Sequence, residues 1–148
     1  MRFIVSLILL FSSCCIAGAQ NVNRTWGWSK SMSGAGGKGN GPVRVDIYGN
    51  VYSLIGFTGM FIYGTYTYYS AMGNCALIKH DRYGNVKYIR IYPDYISALA
   101  VDKDENVYIA GGDLMIRLGW NGSEYWRKNL GSGVNIISRI EDMVVDND

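Results

Sequence analysis

The sequence predicts an all-β fold built from repeated four-stranded antiparallel units. Three observations carry that expectation. Two hairpin signatures alternate along the 148 residues, glycine outnumbers proline 19 to 2, and no segment shows a helical period with a cap at each end. The first signature is Val45-Asp46-Ile47-Tyr48-Gly49-Asn50-Val51-Tyr52. It returns as Val101-Asp102-Lys103-Asp104-Glu105-Asn106-Val107-Tyr108 and opens again at Val145-Asp146. The second, Leu77-Ile78-Lys79 followed by Tyr83-Gly84-Asn85 and Tyr88, returns 38 residues later as Met115-Ile116-Arg117, Gly122 and Trp126. Repetition on this scale marks supersecondary units that bury their apolar faces by stacking on neighbours.

Residues 1–19 stand apart from the repeats. Arg2 precedes an almost wholly apolar run over 3–11, and Ala17-Gly18-Ala19 supplies small residues where a signal peptidase cuts. The run is short for a membrane span. The expectation is a signal peptide over 1–19 and a repeat region over 20–148, hence a secreted or cell-surface protein. Lipidation at Cys14 or Cys15 would instead give a periplasmic-side or outer-membrane lipoprotein, because Ser12-Ser13 matches a lipobox loosely. Cleavage removes Arg2 and leaves 13 basic against 12 acidic side chains, too even a balance to recruit a partner by bulk charge. It also leaves Cys75 alone, which forbids an internal disulfide and reads as a small buried hydrophobe.

The elements follow in order. Aromatic content suggests a strand over 26–31, and glycines suggest a loop over 33–42. Residues 43–46 and 51–55 read as strands around a Gly49-Asn50 turn. A Gly- and Tyr-rich stretch fills 56–74. Strands over 76–79 and 86–91 flank Asp81-Arg82-Tyr83-Gly84-Asn85. The cycle then repeats with strands over 96–102, 106–110, 114–118 and 124–128, a loop over 131–135 and a strand over 140–145. Four short strands per unit at this spacing is the blade of a β-propeller. The first signature recurs after 56 and then 44 residues, and the difference isolates residues 59–73 as an insertion between a second and a third strand.

The stretch from Ala98 to Asp102 and from Asn106 to Gly111 resembles the bacterial seven-bladed β-propeller repeat family, whose units run A-x-D-x-x-G-N-V-Y-V-x-G. Leu77-Ile78-Lys79-His80-Asp81 with Gly84-Asn85-Val86-Lys87-Tyr88 is similar to its next hairpin, K-L-D-x-x-G-N-x-x-W, and Gly56-Phe57-Thr58 falls where it carries G-Y-T. Glu105 replaces the usual glycine, so that turn is expected to be looser; Tyr88 replaces a tryptophan that reappears at Trp126. The resemblance implies a secreted bacterial protein with a surface or adhesive role, and it carries over no catalytic residue. It also implies an incomplete propeller of about two and a half blades, since closure takes roughly four to eight. The open array calls for remaining blades or for self-association, because unpaired edges associate.

Candidate chemistry is sparse. Gly34-Ala35-Gly36-Gly37-Lys38-Gly39 matches a phosphate-loop spelling, but Pro42 and a strand follow where a helix N-terminus is required. Asp102, Asp104 and Asn106 alternate oxygen ligands as calcium loops do, yet the same residues suit a β-turn. Lys79, His80, Arg82, Lys87 and Arg90 cluster in sequence, but strand alternation divides them between two faces, which argues against nucleic acid. No cofactor motif and no grouping of His and Cys for a metal stands out, and His80 is the sole histidine. The sequons at Asn23 and Asn121 would matter only in a eukaryotic host.

The inserted stretch offers a physical basis for a ligand. Phe61, Tyr63, Tyr66, Tyr68 and Tyr69, spaced by glycines, can stack on sugar rings or pack on a protein partner. The same residues suit better an extended hairpin whose aromatics cover neighbouring strands. The leading expectation is a non-enzymatic binding module for protein or carbohydrate. The alternative is the N-terminal part of a larger propeller hydrolase or lyase whose catalytic residues lie outside this chain.

Overall fold

A computed structural model describes residues 27–93, 95–131, 140 and 142–146. The expected signal peptide with Cys14 and Cys15, the sequon at Asn23 and residues 132–139 lie outside the described residues. Within them the protein is all-β. The strands are β1 (Lys38–Val45), β2 (Val51–Tyr63), β3 (Tyr66–His80), β4 (Val86–Tyr92), β5 (Ala98–Val101), β6 (Val107–Gly111), β7 (Leu114–Leu118) and β8 (Glu124–Asn129). They form two antiparallel sheets in simple sequence order, β1-β2-β3-β4 and β5-β6-β7-β8.

The strands alternate as half-buried ladders should, and the registers show which residues share a face. Leu54 pairs with Leu77, and Cys75 pairs with Tyr92. Their face, with Tyr52 and Tyr88, packs against Leu99, Val107, Ile109, Ile116 and Leu118 of the second sheet in one buried cluster. Each fully buried side chain of this size contributes roughly 1.5–3 kcal/mol.

The opposite face of the first sheet carries Ile55, Ala76, Ile78 and Ile89, and it too is buried. What covers it is the sheet's own longest hairpin. β3 has 15 residues and would be roughly 50 Å long if straight. Yet Tyr63, paired with the first residue of β3, sets its hydroxyl 2.8 Å from Nε2 of His80, the last residue. The hairpin therefore doubles back on itself. The ring centroids of Phe57 and Phe61 lie 4.8 Å apart, where four residues of straight strand would separate them by about 13 Å. The fold falls at the register shift between Phe57 and Gly59, where Gly59 takes a φ of 73°. Phe61 and Tyr63 then pack on Ile55, Phe57, Ala76, Ile78 and Ile89, with Tyr68 and Met32 at the margin. Three β-layers result: the returned hairpin, the first sheet and the second sheet.

The stretch over 59–73 takes the extended-hairpin form: β2 and β3 run through it to a tight turn at Gly64-Thr65, because its alternating aromatics have a sheet face to cover. Three other expectations change here. The glycine-rich stretch over 33–42 is strand from Lys38 onward, and residues 33–37 run beside β2 with backbone bonds. Thr58, Met60 and Ile62 donate to the carbonyls of Gly37, Ala35 and Ser33, and a Cβ at Gly36 would stand 2.0 Å from the Thr58 carbonyl oxygen. Glycine is needed there for backbone contact, not for phosphate. Residues 27–31 form no ladder; Trp28 lies against the His80 ring, 5.1 Å between centroids. Residues 140 and 142–146 carry no strand either; Ile140 accepts from the Ser97 hydroxyl and Asp142 pairs with Arg44.

Candidate functional site

The local device that repeats most faithfully is the hairpin turn. In Asp46–Asn50, Asp81–Asn85 and Asp102–Asn106 the aspartate carboxylate accepts from the amides two and four residues on, all at 2.8–2.9 Å. The asparagine side chain closes the loop onto the other carboxylate oxygen at 2.7–3.0 Å. The fourth residue takes positive φ: Gly49 and Gly84 at 84°, Glu105 at 60°, and Gly122 at 77° in the fourth turn. These bonds hold the carboxyls of Asp46 and Asp102 below the ordinary range. Burial is the largest single influence and pushes the other way, but the hydrogen bonds from Asn50, Tyr52 and Tyr48, and from Asn106, Asp104 and Tyr108, together outweigh it. Asp81 is lowered too, chiefly by the Asn85 side chain.

Asp102, Asp104 and Asn106 are thus engaged as a turn. Asp102 also accepts from the Tyr108 hydroxyl at 3.2 Å. Among the described residues no group of three or more His, Cys, Asp or Glu is placed to hold a metal ion. The looser turn expected at Glu105 is not found. Its backbone bonds match the others, and the left-handed conformation of a non-glycine residue is offset by what the side chain reaches. Glu105 accepts from Lys79 Nζ at 2.6 Å and Asn50 Nδ2 at 3.1 Å, across the two sheets.

That ion pair brings both sheets to one end. Lys79, only 5% exposed as a side chain, also donates to the Trp120 carbonyl at 3.0 Å. It sits 5.1 Å over the Tyr52 ring, and Tyr52 in turn donates to Asp46 at 3.0 Å. Arg90 donates to the Gly122 carbonyl at 3.0 Å. All four turns therefore share one end of the molecule. Their tips project Ile47, Tyr48, Tyr83 and Trp120, which are 74%, 56%, 71% and 62% exposed. This apolar and aromatic end was missed from sequence. The available signal was the residue type at the second and third positions of the Asp-Asn turns, whose side chains make no bond that holds the turn and so suit polar residues.

The inserted tyrosines are divided by strand alternation. Phe61 pairs with Tyr68 and Tyr63 with Tyr66, while Tyr69 pairs with Met60 on the other face. Phe61 and Tyr63 are buried in the layer interface and Tyr68 is half-buried beside them. Tyr66 is 42% exposed at the hairpin tip, and Tyr69 is 74% exposed on the outer face near Met60 and Met72. The five do not converge on one surface. Among them Tyr66 and Tyr69 face solvent most, and Tyr66 borders a groove with Ser29, Lys30 and Gly64.

Cys75 is free and buried, and burial pushes its thiol up to about 11, away from reactivity. His80 lies 3% exposed under Tyr63 with Nδ1 unpartnered. Its pKa is lowered, first by burial and then by Lys30. Neither group faces a substrate-sized opening with a second reactive side chain. No family model, curated protein or solved structure matches this chain. The resemblance to the propeller repeat rests on the residues quoted for it.

Proposed function

We propose that the protein is an exported, non-enzymatic interaction module, part of a β-propeller, that binds protein or carbohydrate through its turn end. One observation carries this reading: four turns of one construction present Ile47, Tyr48, Tyr83 and Trp120 to solvent at a single end. Large exposed apolar side chains gathered in one place mark interaction surfaces, and flat aromatic faces suit both sugar rings and protein side chains. The tips of the first three turns are free to vary because their Asp and Asn side chains do the structural work; the fourth keeps the same backbone bonds, with Asn121 accepting from Ser123. Two meanders stacked face to face, with equivalent strands at equivalent places, are what adjacent blades of a propeller require.

The test compares two variants on a glycan array and in a surface-display pull-down. Tyr48→Ala/Tyr83→Ala/Trp120→Ala is expected to lose binding that the intact protein shows. Tyr66→Ala/Tyr69→Ala is expected to keep it. The reverse result would move the site to the hairpin, and retention by both would remove aromatic recognition altogether.

A further inference from the structure

Among the described residues every strand edge but one is guarded. β1 carries Pro42 and Arg44, β4 carries Lys87 and Arg90, β8 carries Arg127 and Lys128, and β5 has only 4 residues. Proline, charge and shortness are what keep strand edges from pairing with other chains. The exception is the returned half of β3. β4 pairs with β3 only from Cys75 onward, so no described strand covers the outer edge of residues 66–70. No Lys, Arg, His, Asp or Glu occurs from Ile47 to Ile78. Tyr66-Thr67-Tyr68-Tyr69 is also the aromatic and β-branched sequence that strands favour.

The ladder fixes which backbone groups this edge offers. Thr58, Met60 and Ile62 donate to carbonyls of the 33–37 segment, so Gly59, Phe61 and Tyr63 turn their amides and carbonyls towards β3. Their partners Ser70, Tyr68 and Tyr66 direct theirs back to β2. Thr67 and Tyr69 therefore point N–H and C=O outward, and their side chains are exposed on the outer face opposite Ile62 and Met60. Such a row of donors and acceptors is complementary to another extended backbone. On the inner face Tyr68, with Val86 and Ile91 of β4, lies half-buried at the margin of the apolar cluster, so apolar surface remains to be covered beside the edge.

We propose that residues 66–70 are a homodimerisation edge: two copies of the chain join them antiparallel about a dyad at Tyr68, and the two returned hairpins become one continuous layer. The occupant is a second copy because the edge is complementary to itself. The dyad sets Thr67 of each copy opposite Tyr69 of the other, with outward amides and carbonyls in register, and a β-branched residue facing an aromatic is a favourable cross-strand pair. An edge without charge meets its own copy with no like charges opposed. The assembly stops at two, because the far side of each hairpin is already taken by residues 33–37; the interface is isologous and closed. The inference rests on the hairpin and is independent of the turn-end binding surface.

Sedimentation of the full chain should show a monomer–dimer equilibrium, and hydrogen exchange should separate alternate residues. The Thr67 and Tyr69 amides should exchange at least about tenfold more slowly in the dimer than in the dilute monomer, while those of Tyr66, Tyr68 and Ser70 stay protected in both. Thr67→Pro removes an outward donor without breaking a bond of the hairpin ladder, and proline is tolerated at such edge positions. It should weaken dimerisation at least about tenfold, whereas Thr67→Val, which keeps the N–H, should stay within about twofold. Protection of Tyr68 and of β6–β8 in Thr67→Pro shows that the fold survives, and its turn-end binding should be unchanged. Tyr68→Cys should cross-link to its own copy on oxidation, since directly opposed residues lie within disulfide reach. A chain that stays monomeric at millimolar concentration would overturn the proposal, as would open-ended fibres or a dimer indifferent to Thr67→Pro. Thr67 and Tyr69 amides already protected in the monomer would assign the edge to another segment of the same chain and overturn it too.

Discussion

The two sheets carry the same turn code and differ in what they do with the strands between. In the second sheet β6 and β7 are 5 residues each and the connection at Gly112-Asp113 is immediate. In the first, β2 and β3 run 13 and 15 residues and fold back as a third layer. The consequence is asymmetric burial. The first sheet buries its second face under its own hairpin; on the far face of the second sheet Ala98, Ala100 and Ala110 are buried while Tyr108, Arg117 and Trp126 are half-buried. A repeat can thus cover its own sheet without changing its turn chemistry, by lengthening one hairpin.

The sharpest way to break the comparison is to uncouple the returned hairpin. Phe61→Ala empties a fully buried site and should cost about 3–5 kcal/mol in urea unfolding. A loss under about 1 kcal/mol would show that the hairpin is an appendage and not a layer. Next comes the turn where the sheets touch. Glu105→Gly restores the glycine of the other turns and relieves a left-handed residue, worth about 1–2 kcal/mol. It also strands Lys79 in a site that is 5% exposed, and loss of a partner to a buried charge costs about 3–5 kcal/mol. The net expectation is destabilisation by about 2 kcal/mol, read in the same assay. A more stable variant would mean the ion pair contributes nothing across the interface.

Acid tests the shared turn code. The carboxyls of Asp46 and Asp102 are held below the ordinary carboxylate value of 3.8, so their contribution is present above that value. It is lost as pH falls through the lower folded-state values. Asp46→Asn/Asp102→Asn should lower stability at pH 7 and flatten the decline below pH 4, by the order of 1 kcal/mol per turn. A decline of unchanged steepness would locate acid sensitivity elsewhere.

The smallest effect belongs to the hairpin's latch. His80 is lowered from 6.5, so the folded state favours the neutral ring. Stability should fall as pH drops below 6.5 and level off beneath the folded-state value. His80→Gln should remove that slope between pH 7 and 5, and should leave the second sheet's exchange rates untouched. A slope that persists would belong to other groups.

Much of the fold was legible because it is local. Asp102 with Asn106 and Asp46 with Asn50 lie four residues apart, and a carboxylate at that spacing closes a turn whatever surrounds it. Alternation over 76–79 and 107–110 likewise names strands without knowledge of their neighbours. The candidate site was less legible. Five aromatics close in sequence suggested one surface, but pairing sends Tyr69 to the face opposite Phe61 and Tyr63. Tyr48, Tyr83 and Trp120 lie far apart in sequence and met only when the turns did.

By itself, then, the sequence determined the repeat, the turns, the strands flanking them and the all-β class, because each depends on side chains reaching their own backbone or alternating about it. Tertiary structure decided which aromatics are core and which are surface, why Lys38 to Gly39 is strand and not phosphate loop, and what Glu105 is for. Those depend on a hairpin folding back roughly half its length and on two sheets meeting at one end. No window along the chain contains both partners of such contacts, so no local pattern could have announced them.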